Sequence, residues 1–244
     1  LRADTTPLIG NRLALIGAIV YLLEWVAILS FGAGAAPSGD PGASAAAIVS
    51  QYRQHALATS LAAGWFSLVL LGRILFMVGV RDGLRQSGCR TGLADFAVVA
   101  MAVSVVLEIA VYSIAAGAAH AAVNGIDRST IVALDAAANW LDLNIQAPLG
   151  TSVFVASLAM LRSRAFPAWL CWLGMFAGGS GCVGGVLIGA AFHQGGALYQ
   201  AINLSTTVAV IGFWLWMLIT GVLLFRAAGR KGRVPAVGAS QEIG

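Results

Sequence analysis

The chain is predicted to be an all-α polytopic membrane protein: a bundle of six transmembrane helices with both termini cytoplasmic. Three observations predict it. Of 244 residues, 59% are hydrophobic and 10% charged, with mean hydropathy +0.87, whereas a soluble domain carries about 25% charged residues. The apolar runs last long enough to cross a bilayer as helices, and they lack the ~10-residue alternation of a transmembrane barrel. The basic residues gather in alternate loops, as topology markers do.

The spans are placed at Leu13–Phe31, Leu57–Val80, Phe96–Ala119, Ile131–Leu161, Ala168–Phe192 and Ala201–Phe225. The first follows Arg12 in the manner of a signal peptide. Its length, its Glu24 and its lack of a small-residue cleavage site favour a retained helix. Before the second span, the outer loop Gly32–Ala56 opens with Ala36-Pro37-Ser38-Gly39 and then turns helical, with Ser44 as N-cap. That stretch to His55 is expected to rest on the membrane surface, or to lid a pocket. The fourth span follows Asp127, read as its N-terminal acid. At 31 residues it is ~46 Å long, so its first turns are expected to project and Pro148 to kink it. The fifth carries Gly181, Gly185 and Gly189 at four-residue spacing, a packing surface for a neighbouring helix or a second copy. Residues 1–230 form one domain, and 231–244 read as a basic, then flexible tail.

Orientation follows from Lys and Arg. Eleven of the fourteen fall at the N-terminus, in the second–third and fourth–fifth loops, and in the tail, which places both ends in the cytoplasm and the protein in the cell inner (plasma) membrane as a multi-pass protein. The net charge of +4 is accounted for by these markers, and no Lys/Arg run of nucleic-acid type is present. Cys89, Cys171 and Cys182 have no metal spacing. The three histidines form no HExxH or HxxxH pair, so no metal and no other cofactor is expected.

What the composition does not explain is a set of acids within apolar sequence. Glu24 and Glu108 lie inside the first and third spans, and Asp135, Asn139, Asp142 and Gln146 fall within an arc of about 60° on the fourth. Ionisable groups at membrane depth are costly and face a bundle interior or a wet cavity. Counting residues inward from the loops brings Glu24, Glu108 and Asp142 together in the outer half, with Asp135 above them and His193 at a helix end. Arg73, eight residues before Arg81, is placed in the inner half, away from the acids. Trp25, Tyr112, Trp140 and Trp214 track the acidic layer, whereas Trp169 and Trp172 read as interfacial belt residues.

Two stretches carry a resemblance: Asp127-Arg128-Ser129-Thr130 with Ala133-Leu134-Asp135, and Ala165-Phe166-Pro167-Ala168-Trp169-Leu170-Cys171-Trp172-Leu173-Gly174. Together with the first outer loop they resemble a large group of uncharacterised six-helix membrane proteins of actinobacteria. The resemblance spans about residues 13–225 and implies architecture rather than chemistry. Where Glu24 and Asp142 stand, the usual members are more often apolar. A looser likeness, of class only, is to small integral-membrane terpene cyclases, which are also all-helical with a few embedded acids and many aromatics.

Three functions compete. The first is an enzyme on a lipophilic, isoprenoid-like substrate drawn from the membrane lipid, working by acid-initiated isomerisation or cyclisation. Glu24, Glu108 and Asp142 would be catalytic, with Trp25, Tyr112, Asp135, Asn139, Trp140 and Trp214 around the substrate. The second is a small proton-coupled transporter, although no internal repeat supports it. The third is a non-catalytic accessory subunit whose acids fix helix packing.

Overall fold

A computed structural model describes residues 11–32, 43–187 and 196–231. The Pro37 loop, Gly189, His193 and the tail beyond Lys231 lie outside the described residues. The chain is all-α. Its helices are α1 (Leu13–Leu22), α2 (Glu24–Phe31), α3 (Ala45–Val69), α4 (Leu71–Gln86), α5 (Gly92–Val123), α6 (Arg128–Ser163), α7 (Ala168–Val186) and α8 (Ala197–Lys231). Helices α1 with α2, and α3 with α4, each form one span, giving six segments long and apolar enough to cross a membrane. This is a multi-pass membrane protein. An even number of crossings returns the chain to the face it left. One face carries the α4–α5 and α6–α7 turns with their arginines, and the opposite face carries the start of α3 and the α5–α6 turn.

The two segmented spans are broken without proline, at Leu23 and at Leu70, two residues before Gly72. At Leu23, φ −66° and ψ −6°, the backbone tightens: its N–H bonds Val20 O at 3.2 Å, and Val26 N–H bonds Leu23 O at 3.1 Å. Trp65 Nε1 donates to the same Leu23 carbonyl at 2.8 Å, so a side chain from α3 pins the break. At Leu70 the same tightening appears, with Arg73 N–H bonded to Leu70 O at 3.0 Å. Each break lies within three residues of a buried charge, Glu24 or Arg73.

Glycines set how closely the helices approach. A Cβ on Gly17 would stand 2.3 Å from Phe76 N, and one on Gly72 would stand 2.6 Å from Gly17 O. Helices α1 and α4 therefore touch backbone to backbone, which small residues permit. On the other side of the bundle, a Cβ on Gly178 would lie 2.5 Å from Phe154 N, and one on Gly185 2.7 Å from Ala147 Cβ. Gly178, Gly181 and Gly185 of α7 thus pack against α6, while Gly184 faces Thr206 of α8.

The stretch expected to turn helical after Ser44 is continuous with the second span: α3 begins at Ala45, and the Ser44 hydroxyl accepts from Ala47 N–H at 3.3 Å. The only non-helical residue inside α3 is His55, at φ −110° and ψ 16°. The turns before His55 pack onto the bundle through one face. Ile48 and Tyr52 are buried against Ala115, Ala118, Ala119 and Ala122 of α5 and Ile131 of α6, because the small side chains of α5 leave a trough that they fill. Helix α6 runs through Pro148 as one helix. Asp127 caps it, accepting from Ser129 N–H at 3.0 Å and from the Ser129 hydroxyl, and these bonds hold its carboxyl below the usual aspartate range.

Candidate functional site

Close contact between α1 and α4 sets Tyr21 and Glu24 beside Arg73, and α5 brings Glu108 from the other side. The Arg73 guanidinium is buried and grips Glu108 with both terminal nitrogens: Nη1 to Oε2 at 2.5 Å and Nη2 to Oε1 at 3.1 Å. Nη2 also donates to the Tyr21 hydroxyl at 2.8 Å, and the guanidinium lies 4.3 Å from the Tyr21 ring centroid. The Tyr21 hydroxyl in turn accepts from Trp214 Nε1 at 3.1 Å. Forked Arg–carboxylate pairing of this kind is the geometry that best repays desolvation of both charges.

The separation of Arg73 from the acids, expected from depth counting, is therefore wrong. The count started at Arg81, but α4 continues to Gln86. Measured from the α4–α5 turn, Arg73 is thirteen residues back (86 − 73) and Glu108 sixteen forward (108 − 92), or ~20 Å and ~24 Å along the two helices. The long arginine side chain covers the remainder.

Glu24 is held differently. It is buried, at 4% exposure. Its Oε2 lies 3.9 Å from Arg73 Nη2, beyond hydrogen-bond range, and its Oε1 has no hydrogen-bond partner. Glu24, Arg73 and Glu108 line a cavity of about 280 Å3 together with Asp142, Gln146, Tyr21 and an apolar wall of Ile28, Ile145, Leu149, Val210, Phe213 and Trp214. Asp142 is exposed at the rim. Gln146 Oε1 is buried without a partner. Ser157 Oγ, Trp216 Nε1 and Thr220 Oγ1 are also buried without partners, but none of them lines this cavity.

The other residues proposed for the site lie elsewhere. Asp135 is buried at the opposite face, accepting from the Tyr52 hydroxyl at 2.7 Å and from Asn139 Nδ2 at 3.0 Å. Tyr112 stacks on Phe66, centroids 4.1 Å apart. Trp25, 37% exposed, meets Trp214 edge-on at 4.8 Å without lining the cavity, and Trp140 does not line it either. Of the residues proposed from sequence, Glu24, Glu108, Asp142 and Trp214 share the cavity. Sequence reasoning missed Tyr21, Arg73, Gln146 and Phe213 as members of it. The signal that could have found Tyr21 and Arg73 is the pair Gly17 and Gly72, each within one turn of them.

The family model for a domain of unknown function, DUF4386, matches residues 91–221, just over half of the chain. The chain belongs to the DUF4386 family. Comparison with curated proteins and with solved structures gives no match. The DUF4386 match covers α5, α6, α7 and most of α8, so Glu108, Asp142, Gln146 and Trp214 fall within it. Glu24 and Arg73 come from the preceding helices.

Among the described residues, no group of three or more His, Cys, Asp or Glu could hold a metal ion. The cavity offers one guanidinium against three carboxyls. At this depth such a surplus of negative charge is balanced by a proton or by a cationic ligand. Chemically, the arrangement is suited to giving and taking a proton beside an apolar, aromatic wall.

Proposed function

We propose that the protein is an integral-membrane enzyme acting on a lipophilic, isoprenoid-like molecule by acid-initiated isomerisation or cyclisation. The observation that carries this reading is Glu24 Oε1, buried without a partner in a cavity walled by Phe213 and Trp214. Glu24 is the general acid. Its O–H bond breaks as the π pair of a substrate alkene takes the proton, leaving the positive charge on the neighbouring carbon. A second alkene can close a ring onto that carbon. Loss of a proton from the adjacent carbon to Asp142 or to the Glu24 carboxylate then restores an alkene. The rings of Phe213 and Trp214 stabilise the cation through their faces. Glu108 is no longer offered as the acid: its forked pairing with Arg73 makes it the counter-ion that fixes the guanidinium.

The test uses purified protein in nanodiscs with a panel of C10 to C20 polyenes in D2O. The expected product carries one deuterium from solvent, and Glu24→Gln abolishes its formation while remaining folded. Full turnover by Glu24→Gln overturns the reading.

A proton-coupled carrier is the second reading, favoured by the placement of exposed Asp142 at the rim with Glu24 buried behind it, a pair able to pass a proton inward. It predicts substrate-dependent proton flux in proteoliposomes, and silence across the same panel counts against it.

A further inference from the structure

The cavity is lopsided in its hydrogen bonding as well as its charge. Its lining includes two buried acceptors without partners, Glu24 Oε1 and Gln146 Oε1, and a third acceptor group in exposed Asp142. Arg73 contributes the one unpartnered buried donor atom there, Nε, while its Nη groups are engaged by Glu108 and Tyr21. A ligand that completes this site brings positive charge and N–H donors. An anion or a neutral carbonyl compound would add acceptors to a site already rich in them. The rest of the lining is aliphatic and aromatic, so the remainder of the ligand is apolar. The volume of about 280 Å3 lies near the lower end of ordinary small-molecule sites, roughly 300–1,000 Å3, so the ligand is compact.

We infer that this cavity binds a lipophilic amine that takes the Glu24 proton and is held as its ammonium form, its N–H shared between the Glu24 carboxylate and the Gln146 carbonyl, the charge balanced by Glu24 and Asp142, and the apolar body against Phe213, Trp214 and Leu149. A tertiary ammonium also reproduces the charge of the carbocation in the proposed reaction. The inference thus deepens that reading and rests on the same cavity. Its binding chemistry does not require that the reaction occur.

Isothermal titration of the purified, micelle-embedded protein with N,N-dimethyloctylamine, 1-octanol and octanoate tests it. Saturable binding is expected for the amine alone. Loss of one charge-assisted hydrogen bond should weaken it at least about tenfold in Glu24→Gln, and Gln146→Leu should weaken it by a smaller factor. Should Glu24→Gln fail to fold, Asp142→Asn, at the exposed rim, carries the test with an expected loss of at least about threefold, a fraction of one exposed ion pair. Equal affinity for amine and alcohol, or amine affinity unchanged in every folded variant, overturns the inference. The two readings fail separately. Saturable amine binding without any deuterated product sinks the catalytic reading alone, and deuterated product without saturable amine binding sinks this one alone.

Discussion

Two acids of this bundle are buried to the same extent, Glu24 and Asp135, each 4% exposed, yet their surroundings differ. Asp135 is enclosed by donors. Tyr52 reaches it from the first turns of α3, and Asn139 reaches it from one turn along its own helix. Glu24 sits beside a cavity with one oxygen unbonded and Arg73, the one cation paired near it among the described residues, drawn toward Glu108. A buried acid whose lone pairs are met by its own fold is a strut, because removing any partner costs stability. A buried acid with one oxygen left unmet is tolerated at a cost the fold does not recover, and that is the signature of a group kept for a ligand or a proton.

The largest effect expected from breaking this contrast comes from the cation. Arg73→Met leaves Glu108 buried without a counter-charge and should cost about 3–5 kcal/mol, read as a lost or strongly lowered melting transition in detergent. Arg73→Lys should fall between, since an ammonium cannot reproduce the forked pairing.

Next in size is Gly17→Val. Its side chain meets the Phe76 backbone, so α1 must move off α4, at about 1–3 kcal/mol. The displacement carries Tyr21 and Glu24 away from Arg73 and should abolish ligand binding, while the Tyr52–Asp135 bond is untouched. Gly64→Ala, with nothing within 4 Å of its added carbon, is the matched control and should melt as the wild type does.

Tyr52→Phe comes third. It strips one donor from Asp135 and should cost about 1–2 kcal/mol with no change in amine binding or turnover. If it impairs function at unchanged stability, the strut assignment of Asp135 is wrong.

The smallest effect is at Asp127. Hydrogen bonds from Ser129 and the first turn of α6 hold its carboxyl below the usual aspartate range. A depressed folded value means that the cap contributes stability above the unfolded value and loses it as pH falls through the folded one. Acidification through and below the ordinary aspartate range should therefore fray the first turn of α6, seen as faster amide exchange at Ser129 and Thr130. Asp127→Asn should remove that pH dependence.

The architecture was legible because bilayer thickness dictates span length, and because Ser44 and Asp127 announce helix starts by their chemistry. The site was only half legible. Asp135, Asn139, Asp142 and Gln146 do share one helical arc, but rotation says nothing of height. The seven residues from Asp135 to Asp142 rise ~10 Å, enough to send the first pair to Tyr52 and the second pair to the cavity. No proline marks the breaks at Leu23 and Leu70, and the one glycine beside them, Gly72, reads as a packing residue. One is held by a Trp65 side chain that arrives from a different helix. The Arg73–Glu108 pair was hidden by an uncertain helix end: five residues beyond Arg81 shift its level by ~7 Å.

As a general acid, Glu24 carries a proton in the ligand-free protein, beside an oxygen that no group of the fold meets. Infrared difference spectroscopy of the ligand-free protein, wild type minus Glu24→Gln, reads this directly. The expected result is a protonated-carboxyl C=O band that is absent from Glu24→Gln, shifts in D2O and disappears when the amine is added. A wild-type spectrum with no such band, or one unchanged by Glu24→Gln, would contradict it.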